Sequence, residues 1–256
     1  MWLLLIHLCC VNGTLAAEVP AVAAAADLKF ALTDIAARFE KESGRQIKLV
    51  FGSSGNFANQ LAQRAPFELF LSADEGFVFR LADAGLTEDR GVLYSIGRIV
   101  LFVPRTSLLK ADALLADLPA ALADGRIRHF AIANPEHAPY GRAARAALRR
   151  MGAWPAIEPR LVLGENAAQA AQFALSGSTQ GGIIPLSLAI SPELSRQGSY
   201  APIPAAWHAD EPLRQRMVLM KGAGETAQAF YRYLQTPAVR MLFAGYGFVL
   251  PDEAAK

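Results

Sequence analysis

The sequence predicts an α/β protein of two lobes, each a mixed β-sheet flanked by helices, and three observations support this fold class. Short apolar runs alternate with segments of helical periodicity along most of the 256 residues, which is the pattern of βαβ units. Hydrophobic residues make up 53% of the chain, enough for one large core or two smaller ones. Two apolar strands, predicted at 96–104 and 216–221, separate a middle block from both ends. We therefore expect two crossings between the lobes, which form a two-strand hinge.

The predicted first lobe combines residues 18–98 with residues 218–256. Its strands are predicted at 19–26, 47–51 and 67–71. Its helices are predicted at 28–39, 56–64, 75–84, 225–234 and 237–246. Leu28, Leu32 and Ile35 give the first helix an apolar face, and Gly44 and Gly85 are typical of helix ends.

The predicted second lobe covers residues 99–217 and repeats the alternation of strands and helices. Its helices are predicted at 114–123, 140–151 and 166–175. The strands between them are predicted at 129–133, 161–163 and 182–185. Gly152 follows the long middle helix as its stop signal.

The first 17 residues are predicted to be a secretory signal peptide. An apolar run at 2–11 is followed by small residues up to Ala16 and Ala17, near which cleavage is expected. The run is too short for a transmembrane helix. Both cysteines, Cys9 and Cys10, lie in this segment, so neither cysteine catalysis nor a thiolate metal site is expected in the mature protein. We therefore expect the mature protein in an extracytoplasmic space.

Composition and motifs argue against several functions. A formal net charge of +2, without a basic stripe, predicts no nucleic-acid partner. The hydrolase, metalloprotease, P-loop and dinucleotide-binding motifs are absent from the sequence. His129, His137 and His208 lack the spacing of a metal site and are interpreted as surface or packing residues. We therefore expect neither an enzyme nor a cofactor.

Four strand-to-helix turns have compositions suited to binding. They are Ala25-Ala26-Asp27, Gly52-Ser53-Ser54-Gly55, Pro139-Tyr140-Gly141 and Gly164-Glu165-Asn166-Ala167. Ligands of open α/β sheets bind beyond the carboxyl ends of the strands, where such turns lie. Helix N-termini present unpaired N–H groups and the positive end of the dipole. Two turns in each lobe could therefore hold a small anion without Lys or Arg.

Each turn also has an ordinary structural interpretation. Asp27 and Asn166 are typical helix N-caps, and Gly-Ser-Ser-Gly is a common turn composition. Tyr140 is also compatible with a half-buried aromatic residue at a helix start. The coincidence of four such turns in two lobes favours the binding interpretation.

Several segments resemble the periplasmic molybdate-binding proteins of ABC importers, the ModA-type family. They are AAAADLKFALTDIAARFEKESG, FGSSGNFANQLAQRAPFELFLSAD, IANPEHAPYGRAA and the final YGF at 246–248. The resemblance extends from about Val22 to Val249. It implies the type II periplasmic binding protein fold, a molybdate or tungstate ligand, a membrane permease as partner, and a monomer.

The resemblance also implies a set of ligand-binding residues. The family's second-loop serine falls on Ser54, and its backbone donors in the third and fourth loops fall on Tyr140 and Ala167. A tyrosine used by another branch of the family falls on Pro185, which has no hydroxyl, and the hydroxyl of Tyr140 could compensate. No protein side chain is expected to bind a metal directly.

Asp27 departs from the family pattern, which has serine or asparagine in the first loop. An ionised carboxylate only accepts hydrogen bonds and repels a dianion. Three explanations are open. Asp27 could point away as a helix cap, could be protonated against the anion, or could accept a proton carried by the ligand. The last explanation favours hydrogen phosphate or arsenate. A less favoured alternative is a phosphoester hydrolase with Ser53 or Ser54 as nucleophile.

Overall fold

The computed structural model describes residues 19–252, so the predicted signal peptide lies outside the described residues. The strands are β1 (Ala21–Ala25), β2 (Lys48–Gly52), β3 (Leu69–Ser72), β4 (Val92–Ile96), β5 (Ile99–Pro104), β6 (Phe130–Ala133), β7 (Leu161–Gly164), β8 (Gly182–Pro185), β9 (Gly198–Pro202) and β10 (Arg214–Leu219). The helices are α1 (Lys29–Ser43), α2 (Ser54–Ala62), α3 (Glu75–Asp83), α4 (Leu118–Ala123), α5 (Pro139–Arg150), α6 (Trp154–Ile157), α7 (Ala167–Leu175), α8 (Leu186–Ala189), α9 (Pro192–Gln197), α10 (Glu225–Tyr233) and α11 (Pro237–Gly245). Short 3-10 turns are formed by Ala26–Leu28, Glu158–Arg160 and Ala205–His208.

The first sheet has the strand order β2-β1-β3-β10-β4. β1 is parallel to β2 and β3, whereas β10 is antiparallel to β3 and β4, so the sheet is mixed. The sequence of β1 is AVAAA, and alanine is not a strong strand former. It forms a strand here because it lies inside a sheet covered on both faces, where Ala23 and Ala24 are fully buried.

Helices from both ends of the chain cover this first sheet. Phe39 of α1 packs against Phe230 of α10, with 5.1 Å between ring centroids, which joins the N-terminal and C-terminal segments in one core. On the other face, Phe57 of α2 belongs to a buried cluster with Phe70 and Val218. The first lobe is therefore a three-layer α/β unit.

The second sheet has the order β7-β6-β8-β5-β9. β6 is parallel to β7 and β8, and β5 is antiparallel to β8 and β9. Ala143 and Ala147 of α5 belong to one buried cluster, and Ala171 and Ala174 of α7 to another. Two mixed sheets flanked by helices confirm the predicted fold class.

The two crossings differ from the sequence prediction in two respects. The apolar run at 96–104 was predicted as one strand, and this is wrong: β4 ends at Ile96 in the first sheet and β5 begins at Ile99 in the second. The chain passes to the second sheet at residues 97–98 and returns to the first through residues 203–213. The two crossing segments are hydrogen-bonded to each other, because Gly97 N donates to Leu213 O at 2.9 Å. Residues 214–217, assigned from the sequence to the second lobe, pair within the first sheet as part of β10. The division of the chain into two functional lobes stays a prediction.

The strands β4 and β9 were not predicted from the sequence. Each lies at the edge of its sheet, and β9 contains both Gly198 and Pro202, which are unfavourable inside a strand. Pairing with the apolar strand β5 supplies the hydrogen bonds that hold β9 in place.

Candidate functional site

The four turns singled out in the sequence lie at the carboxyl ends of adjacent parallel strands. In the first sheet, the last residues of β1 and β2 are register partners, Ala25 with Gly52. In the second sheet, Ala133 and Gly164 are the corresponding partners at the ends of β6 and β7. Each lobe therefore presents two neighbouring turns at one sheet edge, as expected for a ligand crevice.

These two pairs of turns contact each other across the cleft between the lobes. Gly55 N donates to His137 O at 2.9 Å, and Asn56 of α2 donates to Glu165 in the turn before α7. A Cβ atom on Gly55 would lie 2.6 Å from His137 O, so this approach of the two backbones requires glycine. The described lobes are thus closed on each other.

Asp27 lies at the centre of this interface and is 1% exposed. Its Oδ2 accepts hydrogen bonds from Tyr140 Oη at 2.9 Å and from Gln215 Nε2 at 2.6 Å. Its Oδ1 is buried without a hydrogen-bond partner among the described residues. The interpretation of Asp27 as a helix cap is wrong, because it lies in the 3-10 turn before α1 and its side chain caps neither helix.

The environment of Asp27 raises the pKa of its carboxyl group. Burial raises the pKa of Asp27 from 3.8 to about 6, although the hydrogen bonds from Gln215 and Tyr140 lower it in part. Burial, together with the nearby Asp27 carboxylate, also holds the pKa of the Tyr140 hydroxyl well above its usual value, so Tyr140 is a neutral donor.

Ser54 is the first residue of α2 and is 1% exposed. Its Oγ accepts the N–H of Ala73 at 3.0 Å, which leaves the hydroxyl proton available to donate. The preceding Ser53 caps α2 through a bond from Asn56 N at 3.3 Å. The ordinary interpretation of this turn therefore holds for Ser53, whereas Ser54, which follows the strand paired with β1, keeps its hydroxyl proton as a donor.

Tyr140 and Ala167 both lie in the first turns of their helices. Their backbone N–H groups have no acceptor within the helix, because the first four N–H groups of any helix lack one. Asn166 caps α7 by accepting the N–H groups of Ala168 and Gln169, each at 3.0 Å. The cap interpretation of Asn166 is confirmed, and Ala167 N is the donor that remains.

The hydroxyl of Tyr140 has a different role from the one expected. From the sequence, this hydroxyl was a possible replacement for the tyrosine missing at Pro185. Its single proton instead goes to Asp27, and Gln215 Nε2 donates to its oxygen at 3.1 Å. A Cβ atom on Gly97 would lie 2.3 Å from this hydroxyl, so the crossing segment packs directly on it.

Several residues that join the lobes were not predicted from the sequence. Gln215 is fully buried, and Ser187 of α8 donates to the carbonyl oxygen of Asp27 at 2.8 Å. Arg142 of α5 pairs with Asp74 of the first lobe and, at 2.8 Å, with Glu211 of the returning segment. Gln215 lies between Arg214 and Arg216 at the start of β10, so its neighbours in sequence offer no signal that it is buried.

His137 is a further contact residue that was interpreted from the sequence as surface or packing. Its Nδ1 lies 3.0 Å from Ser53 Oγ and its Nε2 lies 3.5 Å from Glu165 Oε2. Ser53 and His137 come from different lobes, and Ser53 Oγ also caps α2. The contact therefore links the rims of the cleft.

Among residues 19–252, no group of three or more His, Cys, Asp or Glu side chains could hold a metal ion. None of the helices in the same range is long and apolar enough to cross a membrane.

Two sheet-and-helix lobes that close around neutral donors define the class of two-lobed ligand-binding proteins. The family model for bacterial extracellular solute-binding proteins matches residues 20–249. The chain belongs to this family, and the predictions of a binding protein and not an enzyme are confirmed. The phosphoester hydrolase alternative is not favoured.

Similar proteins narrow the relationship further. The chain is 34% identical to the molybdate-binding protein ModA of Azotobacter vinelandii, over 92% of this chain and 91% of that one. It is 33% identical to the ModA protein of Rhodobacter capsulatus, over 89% and 86%. The solved Azotobacter vinelandii periplasmic molybdate-binding protein superimposes with a TM-score of 0.81 at 29% identity, covering 91% of this chain and 99% of that chain. The resemblance predicted from the sequence is confirmed.

Proposed function

We propose that this protein is a periplasmic receptor that captures molybdate or tungstate between its lobes and delivers it to a membrane ABC permease. The observation that carries the proposal is the meeting of four helix-initiating turns at one cleft. The names of the relatives support the choice of oxyanion, and the predicted signal peptide supports the location.

The proposed ligand contacts come from Asp27, Ser54, Tyr140 and Ala167. Ser54 offers its hydroxyl proton, and Tyr140 and Ala167 offer backbone N–H groups at helix N-termini. The turns themselves contain no Lys or Arg, and the neighbouring Arg142 is paired with two carboxylates. Neutral donors held in fixed positions select an anion by its charge and shape, whereas cationic side chains would attract anions in general.

Ligand binding is coupled to closure of the lobes, because the proposed hydrogen-bond donors come from both lobes. Ser54 belongs to the first sheet's edge and Ala167 to the second's, so an anion can bond to both when the lobes meet. Each hydrogen bond to a charged ligand contributes roughly 1.5–3 kcal/mol. Together, several such bonds exceed the free-energy cost of ordering the lobes. They are compatible with sub-micromolar binding, which corresponds to a binding free energy of about −8 kcal/mol or better.

Cleft size is the proposed basis for selection against sulfate. Sulfate and molybdate are both tetrahedral dianions at neutral pH, so charge does not distinguish them. The larger oxyanion reaches donors on both lobes, whereas the smaller one leaves buried donors unpaired, which is unfavourable by roughly 1–3 kcal/mol for each.

The test is a ligand screen by thermal shift and titration calorimetry with molybdate, tungstate, sulfate, phosphate and arsenate. A ligand at about 100 times its dissociation constant stabilises the folded protein by roughly 2.7 kcal/mol, which is readily measured. We expect stabilisation by molybdate and tungstate and little by sulfate. Equal affinity for sulfate would contradict the proposed selectivity, and stabilisation by phosphate or arsenate alone would replace the proposed ligand.

A further inference from the structure

The second carboxylate oxygen of Asp27 is the feature that the proposed function leaves unexplained. Oδ2 already accepts two hydrogen bonds, from Tyr140 and Gln215, and the Asp27 carbonyl accepts a third from Ser187. Oδ1 is buried yet has no partner among residues 19–252. A buried carboxylate oxygen without a donor is unfavourable, so Oδ1 marks a position where a ligand or a proton belongs.

The polar neighbours of Asp27 hold it without supplying a positive charge. Tyr140 comes from α5 and Gln215 from β10, and Tyr94 of β4 donates to Gln215 Oε1 at 2.8 Å. The pKa of the Tyr94 hydroxyl is held well above its usual value by burial and by Asp27, so this tyrosine is also neutral. The network thus consists of one carboxyl group, two phenols, one amide and the hydroxyl of Ser95, which also donates to Gln215 Oε1, at 3.2 Å.

The charged residues on the helices and strands around Asp27 do not contact its carboxyl group. Lys29, the first residue of α1, is exposed, and α7 and α8 contain no titratable side chain. In β10, Arg214 and Arg216 flank Gln215 and both pair with Glu75. Lys48 of β2 lies at the opposite end of that strand from Gly52 and is exposed. Among residues 19–252, the charged side chains on these elements are exposed or paired elsewhere, so none of them neutralises Asp27.

An ionised Asp27 and a dianion cannot share this cleft favourably, because like charges at close range repel strongly in a buried site. A protonated carboxyl group has the opposite effect, since its O–H donates a hydrogen bond. Oδ1 is the oxygen left for that proton, because Oδ2 already accepts from two donors. Burial raises the pKa of Asp27 to about 6, which makes proton uptake accessible near neutral pH.

We propose that Asp27 binds the oxyanion as a neutral carboxylic acid, taking up one proton from solvent at Oδ1 and donating it as a hydrogen bond to a ligand oxygen. The inference rests on the proposed function and specifies its chemistry. One O–H bond forms on Oδ1, no bond of the ligand breaks, and each bound dianion brings one proton into the protein. Capture is therefore coupled to pH, and Asp27 is the residue that sets this coupling.

The test is titration calorimetry of the mature protein with molybdate, at about pH 7.5, in buffers of differing ionisation enthalpy. Molybdate is fully deprotonated there, so any proton taken up belongs to the protein. We expect about one proton per ligand, and a dissociation constant that rises about tenfold for each pH unit between about pH 7 and 9. Asp27→Asn keeps a donor but cannot titrate, so it should bind without proton uptake and with little pH dependence. Asp34→Asn, at a half-buried position on α1 outside the cleft contacts, is the matched control and should bind molybdate with the proton uptake and pH dependence of the wild type.

The outcomes separate this inference from the proposed function. Molybdate binding by the wild-type protein with no proton uptake and a constant dissociation constant would overturn the inference and leave the proposed function intact. Absence of molybdate and tungstate binding by both the wild type and Asp27→Asn would overturn the proposed function, and the inference with it. The wild-type measurement is decisive even if the Asp27→Asn variant does not fold.

Discussion

Replacing Asp27 with asparagine should stabilise the ligand-free protein at neutral pH. Burial raises the pKa of Asp27 from 3.8 to about 6 in the folded state, so the folded protein is destabilised by ionisation at pH 7.5. At about 1.4 kcal/mol for each pKa unit, this difference corresponds to about 3 kcal/mol. Asparagine has the same shape and can accept the bonds from Tyr140 and Gln215, but it carries no charge. The full effect is therefore expected above the folded pKa.

The pH dependence of this effect has a defined sign. Between pH 3.8 and about 6, the folded state binds a proton that the unfolded state releases, so the stability of the wild type falls as the pH rises. The variant lacks this fall. We expect the advantage of Asp27→Asn to be about 3 kcal/mol at pH 7.5 and about half of that at pH 5.

Scanning calorimetry of both proteins, freed of ligand, between about pH 5 and 8 would measure this difference. For a protein of this size, about 3 kcal/mol corresponds to a melting temperature higher by roughly 6–12 °C. Equal melting temperatures at every pH would refute the reasoning, because they would mean that Asp27 is hydrated when no ligand is bound. Asp34→Asn again serves as the control.

Three further substitutions test the closed cleft. Ser54→Ala removes a proposed donor and should weaken molybdate binding by about 10- to 100-fold in calorimetry, at 1.5–3 kcal/mol per bond. Gly97→Ala places a Cβ 2.3 Å from the Tyr140 hydroxyl and should disfavour closure, seen as a larger ligand-bound radius of gyration in X-ray scattering and weaker binding. Arg142→Gln leaves Asp74 without its partner from the other lobe and should weaken binding by about 3- to 10-fold, measured by calorimetry, because the pair is only partly buried.

Each of these substitutions has a matched control far from the cleft. Ser43→Ala removes a hydroxyl that bonds within α1, Gly245→Ala adds a Cβ with no atom within 4 Å, and Arg38→Gln breaks an exposed pair on α1. All three controls should bind molybdate as the wild type does. Unchanged binding by Ser54→Ala, unchanged closure by Gly97→Ala, or equal effects of Arg142→Gln and Arg38→Gln would each contradict the corresponding assignment.

Much of the fold could be predicted from local pattern. The apolar spacing of α1, its end at Gly44, and the alternation of strands with helices depend on neighbours in sequence, which is why these predictions agree with the structure. The break at Gly97 and Arg98 was not predicted, because these two residues lie between two apolar, strand-like runs, 92–96 and 99–104. Whether two such strands belong to one sheet or two depends on distant pairing partners.

The candidate site also has a part that local sequence predicts and a part that depends on distant residues. The sequence by itself determined the four turns and their residues, since Gly, Ser and Asn at the ends of apolar runs predict helix starts wherever they occur. Only the tertiary structure decided what Asp27 does. Its partners Tyr140 and Gln215 lie 113 and 188 residues away along the chain, and they reach it because two crossings bring the lobes together. A carboxyl group's charge state depends on the water and donors around it, and those are supplied by the folded lobes and not by neighbouring residues.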